Sequence, residues 1–107
     1  IPRAEDPAYS APEQMFGAAL PASDVFALAA CAYRVVIGLL PFAGPDFPEQ
    51  KRKMDFISPS QALSGLPKGI DEVFRRALHP DPAQRQNSCA EFAMSLKSVW
   101  VRSRKRA

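Results

Sequence analysis

Three long helices are predicted from the hydrophobic and polar positions along the chain. They fall in the three long windows that proline does not interrupt. The proline-free windows are residues 22–40, 68–79 and 83–107. The first window is apolar on all sides, which is typical of a helix buried at the centre of a domain. Ser23 is its expected N-cap, and Gly38 followed by Pro41 marks its end. An alternative takes 35–37 as a buried strand, since β-branched residues prefer sheets, but the alanines ahead of it favour the helix.

The second and third windows predict amphipathic helices. In the second window, one helical face carries Ile70, Val73, Phe74, Ala77 and Leu78. In the third window, Ser88 and Glu91 form a predicted capping box ahead of the apolar positions of the last helix. Both helices are therefore expected to bury one side and to expose the other.

The stretch from 41 to 67 is predicted to be irregular apart from one short helix, Pro48 to Asp55. The basic residues of this helix, Lys51, Arg52 and Lys53, are expected to face water. No segment of the chain alternates apolar and polar residues in the manner of a half-buried strand. The predicted fold class is therefore all-α.

The composition fits one small globular domain. The chain has 107 residues, of which 47% are hydrophobic and 23% are charged, unlike the composition of a disordered tail. Its two cysteines, Cys31 and Cys89, are too few for a disulfide framework. We therefore expect a reducing, cytoplasmic location in which both thiols pack against apolar neighbours.

The net charge of +3 is concentrated at the end of the sequence. Arg102, Arg104, Lys105 and Arg106 contribute +4, so residues 1–101 sum to −1 (+3 minus 4). No nucleic-acid partner is therefore expected for the body of the domain. The basic tail is interpreted either as a solubilising terminus or as a juxtamembrane segment of a membrane-tethered parent protein.

The residue types that catalysis requires are scarce. The five glycines are isolated from one another, so no Gly-rich loop can cradle a phosphate. His79 is the only histidine, and without a second one neither a metal site nor an activated nucleophile is expected. No cofactor is therefore expected in this chain. The sequence opens with Ile1 rather than Met, and we expect it to be a piece of a longer protein.

Three stretches resemble parts of one protein family, in the same order and at matching spacings. They are 7–14 (PAYSAPEQ), 23–42 (from SDVFAL through Gly38 to Pro41-Phe42) and 77–92 (ALHPDPAQR followed by Ser88 and AEF). The first is similar to the end of a protein-kinase activation segment, with its Ala-Pro-Glu motif. The second is similar to the central helix of the kinase C-lobe, and the third to its last two helices. Residues 1–101 thus resemble part of the C-lobe of a bacterial, Hanks-type serine/threonine kinase, and 102–107 form a basic tail.

The resemblance implies roles for particular residues. Glu13 is expected to pair with Arg85 and to tie the activation segment to the helices. Asp24 stands where the family bonds the backbone of the catalytic loop; since that loop is missing here, Asp24 is expected to act as a helix-start residue, in the first turn where the dipole favours a carboxylate. The pocket for the substrate residue that follows the phosphorylated one is expected to be lined by Asp6, Pro7, Ala8 and Tyr9.

The resemblance also implies that the chemistry lies outside this chain. Family members transfer phosphate with a Gly-rich loop, a strand lysine, a catalytic aspartate and a metal-binding aspartate, and these motifs do not occur in the sequence. ATP and Mg²⁺ would bind to the missing N-terminal portion of the full-length parent. The chain would supply the substrate-side pocket for a protein substrate without being catalytic by itself.

Departures from the family pattern support an alternative function. Asp6 stands where the family usually has a threonine that bonds the catalytic aspartate, and a second carboxylate there would repel the first. Ala29 replaces a common glycine, and Arg34 interrupts an otherwise apolar helix. The alternative is therefore a pseudokinase or scaffold that binds a protein partner without catalysis.

The apolar first helix also implies self-association. In an intact C-lobe, the resemblance implies that an earlier helix, absent here, covers part of this surface. Contiguous exposed apolar patches beyond a few hundred Å² are rare on soluble monomers. We therefore expect copies of the chain to associate, with Phe26, Tyr33 or Val36 in the contact.

Overall fold

The computed structural model describes residues 6–17 and 20–105. Five α-helices follow one another in these ranges: α1 (Pro21–Ile37), α2 (Phe47–Arg52), α3 (Pro59–Ala62), α4 (Gly69–Ala77) and α5 (Cys89–Lys105). Two 3-10 helices, Pro12–Phe16 and Pro82–Gln84, precede α1 and α5. Since the described residues contain no strand, the predicted all-α fold is confirmed and the alternative of a strand at 35–37 is wrong.

The start of α1 differs from the prediction, whereas its end agrees with it. The helix begins at Pro21, with Leu20 rather than Ser23 as its N-cap residue. Proline suits the first turn because its fixed φ is helical and it has no N–H group to leave unpaired. Ser23 lies inside that turn, where its hydroxyl accepts a hydrogen bond from Leu20 N–H at 3.2 Å. α1 ends at Gly38, whose φ of 87° is a left-handed conformation that glycine adopts readily.

A continuous series of aromatic rings forms the centre of the core. In order of contact, the rings are those of Phe26, Phe42, Phe56, Tyr33, Phe74 and Phe92. Neighbouring ring centroids lie 5.7 to 6.1 Å apart. The first pair is stacked and the others meet edge to face, both of which the ring quadrupoles favour. Because the rings come from α1, α4, α5 and the chain on both sides of α2, they hold these elements in fixed positions.

The amphipathic sides predicted for the last two long helices face this core. Every residue of the predicted α4 face is buried: Ile70, Val73, Phe74, Ala77 and Leu78. Ahead of α5, the Ser88 hydroxyl accepts from Glu91 N–H at 3.1 Å, as predicted. The Glu91 carboxylate accepts from Asn87 N–H at 2.9 Å, one residue further back than a capping box requires. α5 continues to Lys105, past the start of the predicted basic tail at 102.

Only one side of α1 is covered by the described residues, which agrees with the expectation that part of this apolar helix stays uncovered in the chain. Its core side consists of Ser23, Val25, Phe26, Ala29, Ala30 and Tyr33. On the other side, Val35 is 83% exposed and Val36 is 46% exposed. Phe26 and Tyr33 are at most 2% exposed and cannot form the expected contact between copies. Of the three residues named for that contact, Val36 alone is accessible.

The short helix α2 differs from the prediction in its length and in the side that it buries. It spans Phe47–Arg52 rather than Pro48 to Asp55. Arg52 and Lys53 are exposed and pair with the Glu49 carboxylate. Lys51 is only 4% exposed, so the prediction that it faces water is wrong. It lies one turn from Phe47, on the side of α2 that packs against the core.

Candidate functional site

Residues 6–11, here called the 6–11 loop, form a compact turn ahead of the first 3-10 helix. The Asp6 carbonyl accepts hydrogen bonds from Tyr9 N–H at 3.0 Å and from Ser10 N–H at 2.9 Å. The Asp6 carboxylate accepts from Ala8 N–H at 3.0 Å, which is an Asx turn. Ala8 and Tyr9 are buried, whereas Pro7 is exposed. The loop therefore has one side fixed against the helices and one side open to a partner.

Lys51, in α2, fixes the backbone of this loop. Its ammonium group donates to the Pro7 carbonyl at 2.5 Å and to the Ser10 carbonyl at 2.7 Å. The same nitrogen lies 5.8 Å from the Phe26 ring centroid and 5.7 Å from that of Phe47, within the range of cation–π attraction. Burial lowers the pKa of Lys51. The two carbonyls and the two ring faces replace the water that the buried ammonium group has lost. These contacts offset the cost of burying its charge.

Arg34 holds the side chain of Tyr9. Its Nη1 donates to the Tyr9 hydroxyl oxygen at 2.6 Å. Tyr9 is 6% exposed, so its ring is packed and its hydroxyl has a fixed position. This contact spans two elements, because Arg34 lies near the end of α1 and Tyr9 lies in the 6–11 loop. The basic residue that interrupts the apolar helix thus has a defined partner in the candidate substrate pocket.

The structure brings Glu13 and Arg85 together. Arg85 Nη1 lies 2.7 Å from Glu13 Oε2, and Arg85 Nη2 lies 2.9 Å from Glu13 Oε1. This is the bidentate geometry in which a guanidinium group and a carboxylate bond most strongly. The Arg85 side chain is 0% exposed and that of Glu13 is 13% exposed. The pair therefore joins the 3-10 helix after the loop to the segment between α4 and α5.

Arg85 donates to four residues, which lie in three segments of the chain. Besides Glu13, it donates from Nη1 to the Ala22 carbonyl at 3.0 Å and from Nε to the His79 carbonyl at 2.8 Å. A longer bond of 3.4 Å runs from Nη2 to the Pro80 carbonyl. These five bonds match the five N–H groups that arginine offers. A lysine could not replace it, because an ammonium group has three donors and no planar fork.

Glu13 is held in its charged form by its neighbours. Burial raises its pKa, but the hydrogen bonds from Arg85 and Ser23 outweigh burial and leave the pKa below its ordinary value. The Ser23 hydroxyl donates to Glu13 Oε2 at 2.6 Å. Ser23 is therefore not the cap that its position predicted. It links the start of α1 to the Glu13–Arg85 pair.

Asp24 and the two thiols take no part in this arrangement. Asp24 is exposed in the first turn of α1, where the helix dipole favours a carboxylate. Among the described residues it has no hydrogen-bond partner, so its expected role toward a catalytic loop stays a prediction. Cys31 and Cys89 are half-buried against the core. Burial, with a smaller contribution from Asp24, raises the pKa of Cys89, which disfavours a reactive thiolate.

Lys51 and Ser23 are the site residues that the sequence analysis missed. A signal for Lys51 was present, since it follows the apolar Phe47 by four residues and so shares its helical face. For Ser23, the signal was Pro21, which suits the first turn of a helix and places the start of α1 ahead of the serine. In both cases the local pattern indicated the burial of the residue but not its distant partner.

No group of three or more His, Cys, Asp or Glu side chains that could hold a metal ion occurs in residues 6–17 and 20–105. Within the same ranges, no helix is long and apolar enough to cross a membrane. The described residues do not include acidic ligands arranged for a nucleotide-bound metal.

The central helix α1, and the buried pair that joins the 3-10 helix after the loop to the segment between α4 and α5, are consistent with the helical part of a protein-kinase C-lobe. The chain belongs to the Hanks-type serine/threonine protein kinases, of which it is a C-lobe portion, and the resemblance found in the sequence is confirmed. It is 36% identical over 92 residues to the serine/threonine-protein kinase PknA of Mycobacterium tuberculosis. It is also 36% identical over 96 residues to the serine/threonine-protein kinase PknB of Mycobacterium leprae.

These relatives are much longer than the chain. Each alignment covers 85% of this chain, but only 21% of the PknA sequence and 15% of the PknB sequence. No protein-family model matches the chain. The homology is therefore to one part of a kinase, and the activity of the whole relatives does not transfer to this part by itself.

Replacement of Arg85 by alanine should strongly destabilise the domain. The substitution leaves Glu13 and three backbone carbonyls without their donor, and removing one partner of a buried ion pair costs about 3–5 kcal/mol. Urea unfolding followed by circular dichroism measures the loss. Arg75→Ala is the matched control, because Arg75 pairs with Glu72 on the exposed side of α4. Equal unfolding midpoints for Arg85→Ala and Arg75→Ala would contradict the structural role of the pair.

Replacement of Lys51 by methionine should loosen the 6–11 loop while leaving the helices folded. Methionine keeps the length of the side chain but leaves the Pro7 and Ser10 carbonyls without a donor, at a cost of about 1–3 kcal/mol. Amide hydrogen exchange should accelerate at Tyr9 and Ser10, whose N–H groups bond within the loop. The control is Arg52→Met on the exposed side of α2. Unchanged exchange at these two amides in Lys51→Met would show that the lysine does not hold the loop.

Proposed function

We propose that the chain is the substrate-side part of a serine/threonine protein kinase, in which the 6–11 loop receives the protein substrate next to the residue that is phosphorylated. The observation that carries this proposal is the way the loop is held. Lys51 binds its backbone, Arg34 binds Tyr9 and Arg85 binds the adjoining Glu13. Lys51 reaches the loop from α2 and Arg34 from α1, whereas Arg85 lies between α4 and α5, and Pro7 stays exposed on the other side.

A loop fixed in this way favours binding and catalysis through pre-organisation. A flexible loop must be ordered when a substrate binds, which costs conformational entropy and weakens affinity. A rigid loop avoids this cost and places the substrate hydroxyl within a narrow range of positions. Since a misplacement of about 1 Å can reduce a reaction rate about a hundredfold, such rigidity is a functional requirement in phosphoryl transfer.

In this proposal, ATP and Mg²⁺ are bound by other parts of the parent protein. Mg²⁺ takes oxygen ligands from carboxylates and phosphates, and the described residues contain no acidic cluster that fits it. The chain contributes the substrate pocket and the helical frame. Its parent protein is proposed to be cytoplasmic, with a basic tail that is either a solubilising terminus or a juxtamembrane segment. None of the chain's own residues takes part in the transfer of the phosphoryl group.

A pseudokinase or scaffold is the second candidate function, and Asp6 is the observation that favours it. Its carboxylate lies at the open loop, where the family usually has a threonine directed at the catalytic aspartate. Two carboxylates at close range raise each other's pKa and disfavour the charged form that a catalytic base needs. In a scaffold, the same rigid loop would hold a protein partner. The Asp6 carboxylate would then not impair a catalytic base, because none is needed.

Phosphotransfer by the full-length parent separates the two functions. The assay uses [γ-³²P]ATP, Mg²⁺ and a serine/threonine peptide library, with the wild type compared with Asp6→Thr. The kinase function predicts measurable transfer, equal or higher in Asp6→Thr because the repulsion is removed. Absence of transfer in both proteins, with partner binding retained, would support the scaffold. A large loss of activity in Asp6→Thr would show instead that Asp6 has a catalytic role of its own.

We also propose that isolated copies of the chain associate through the exposed side of α1. Val35, Val36 and Leu39 are exposed together near the end of this helix, and apolar surface of this kind favours association. Sedimentation velocity over a concentration series should show a dimer that Val36→Glu dissociates. Val101→Glu, at an exposed position of α5, is the control. A monomer at every concentration would contradict the proposed association.

A further inference from the structure

The side of α5 that faces away from the core combines apolar and basic residues. Met94, Trp100 and Val101 are exposed there, Met94 to 67%. Lys97 is exposed between them, and it pairs with no carboxylate among the residues that the structure describes. Residues three and four positions apart are neighbours on the surface of a helix, so these side chains share one side of α5. We call these four side chains the outer face of α5.

The charge of α5 is unevenly distributed along the helix. Glu91 in the first turn is its only acidic residue. Four basic residues follow, which are Lys97, Arg102, Arg104 and Lys105. They give residues 92–105 a charge of +4. Positions 104 and 105 lie one turn beyond 100 and 101, so the outer face leads into a strongly basic end of the helix.

This arrangement is typical of a helix that lies in the plane of a membrane surface rather than across the bilayer. Such a helix buries apolar side chains at the boundary between lipid headgroups and acyl chains. Tryptophan prefers that depth, and lysine and arginine reach the headgroups with their charged ends while their stems stay on apolar surface. The outer face of α5 offers an exposed tryptophan, two other exposed apolar residues and a lysine.

Two other occupants fit the outer face less well. A second copy of α5 would bring Lys97 and the cations that follow it against like charges, which repel one another. A nucleic acid would neutralise the cations, but its phosphates gain nothing from contact with Met94 and Val101. An anionic lipid surface matches both the positive charge and the exposed apolar side chains. The combination therefore favours a membrane.

We propose that the outer face of α5 binds the surface of a membrane that contains anionic lipids. The basic residues bring the helix to the lipid headgroups, and Met94, Trp100 and Val101 then insert among them. Contact of this kind needs no segment that crosses the bilayer. The outer face contains none of the residues that hold the 6–11 loop, so the inference does not depend on the proposed function.

Binding of the chain to lipid vesicles tests the inference. Trp100 is the only tryptophan of the chain, so its fluorescence reports directly on the outer face. The chain is titrated with vesicles of phosphatidylcholine alone and with vesicles of equal parts phosphatidylcholine and phosphatidylglycerol. The anionic vesicles should shift the Trp100 emission to the blue and co-sediment with the chain, and the neutral vesicles should bind it more weakly. Added salt should weaken the binding, because ions screen the attraction.

Substitutions separate the outer face from the charge of the whole chain. Lys97→Ala should lower the partition coefficient onto anionic vesicles about fivefold, which is the effect of one basic residue near an anionic surface. Lys53→Ala removes the same charge from an exposed lysine that pairs with Glu49, and it should leave the partition coefficient unchanged. Val101→Glu should weaken binding at least as much as Lys97→Ala. Its control is Leu63→Glu, because Leu63 is exposed to a similar extent at the end of α3.

Circular dichroism confirms that each variant is folded before its binding is compared. Equal binding to neutral and anionic vesicles, binding to neither, or an equal loss in Lys97→Ala and Lys53→Ala would each overturn the inference. Binding to a double-stranded oligonucleotide without binding to anionic vesicles would assign the outer face to nucleic acid and would overturn it as well.

Discussion

The packing of two buried cations around the Phe26 ring is the interaction on which the rest of the structure depends. The guanidinium carbon of Arg85 lies 5.0 Å from the ring centroid, and the ammonium nitrogen of Lys51 lies 5.8 Å from it. Phe26 is itself 0% exposed and stacks on Phe42. A buried cation destabilises a fold unless its N–H groups are bonded, and here residues 7–13 supply the carbonyls and the carboxylate that bond them. The aromatic core and the loop therefore stabilise each other.

Because of this mutual dependence, the conformation of the loop depends on the packing of the helices. The anchors of the loop come from residues 25 to 72 positions later in the sequence. Closing such long segments costs entropy that short-range turns do not, so the anchors depend on the packing of the helices that carry or adjoin them. The two cations also share one aromatic ring, and substitutions of residues with a common partner are rarely additive. We expect the energetic contributions of Arg85 and Lys51 to be coupled through Phe26.

The sequence predicted the elements of this fold better than their contacts. The periodicity of the apolar residues predicted α4 and α5, because a one-sided apolar pattern has a single way to face a core. For α1 the pattern predicted an apolar helix but not its covered side, since an apolar pattern on every side does not say which side the rest of the chain covers. The Glu13–Arg85 pair followed from the resemblance to a family and not from any local signal. Lys51 was missed because its partners are backbone carbonyls, which every residue carries and no sequence pattern marks.

Within this chain, the Asp6 side chain rather than the shape of the loop bears on the two proposed functions. Asp6 fixes the turn by accepting from Ala8 N–H, and a serine or threonine hydroxyl can make the same kind of turn. Lys51 binds the carbonyls of Pro7 and Ser10, and Arg85 binds the carboxylate of Glu13. None of these contacts requires an aspartate at position 6. The hydrogen bonds of the fold therefore do not require an aspartate at this position. The negative charge of Asp6 still matters, because it favours the charged forms of the Lys51 and Arg34 side chains. It opposes the burial that lowers the pKa of Lys51, and it adds to the hydrogen bond with Tyr9 that raises the pKa of Arg34.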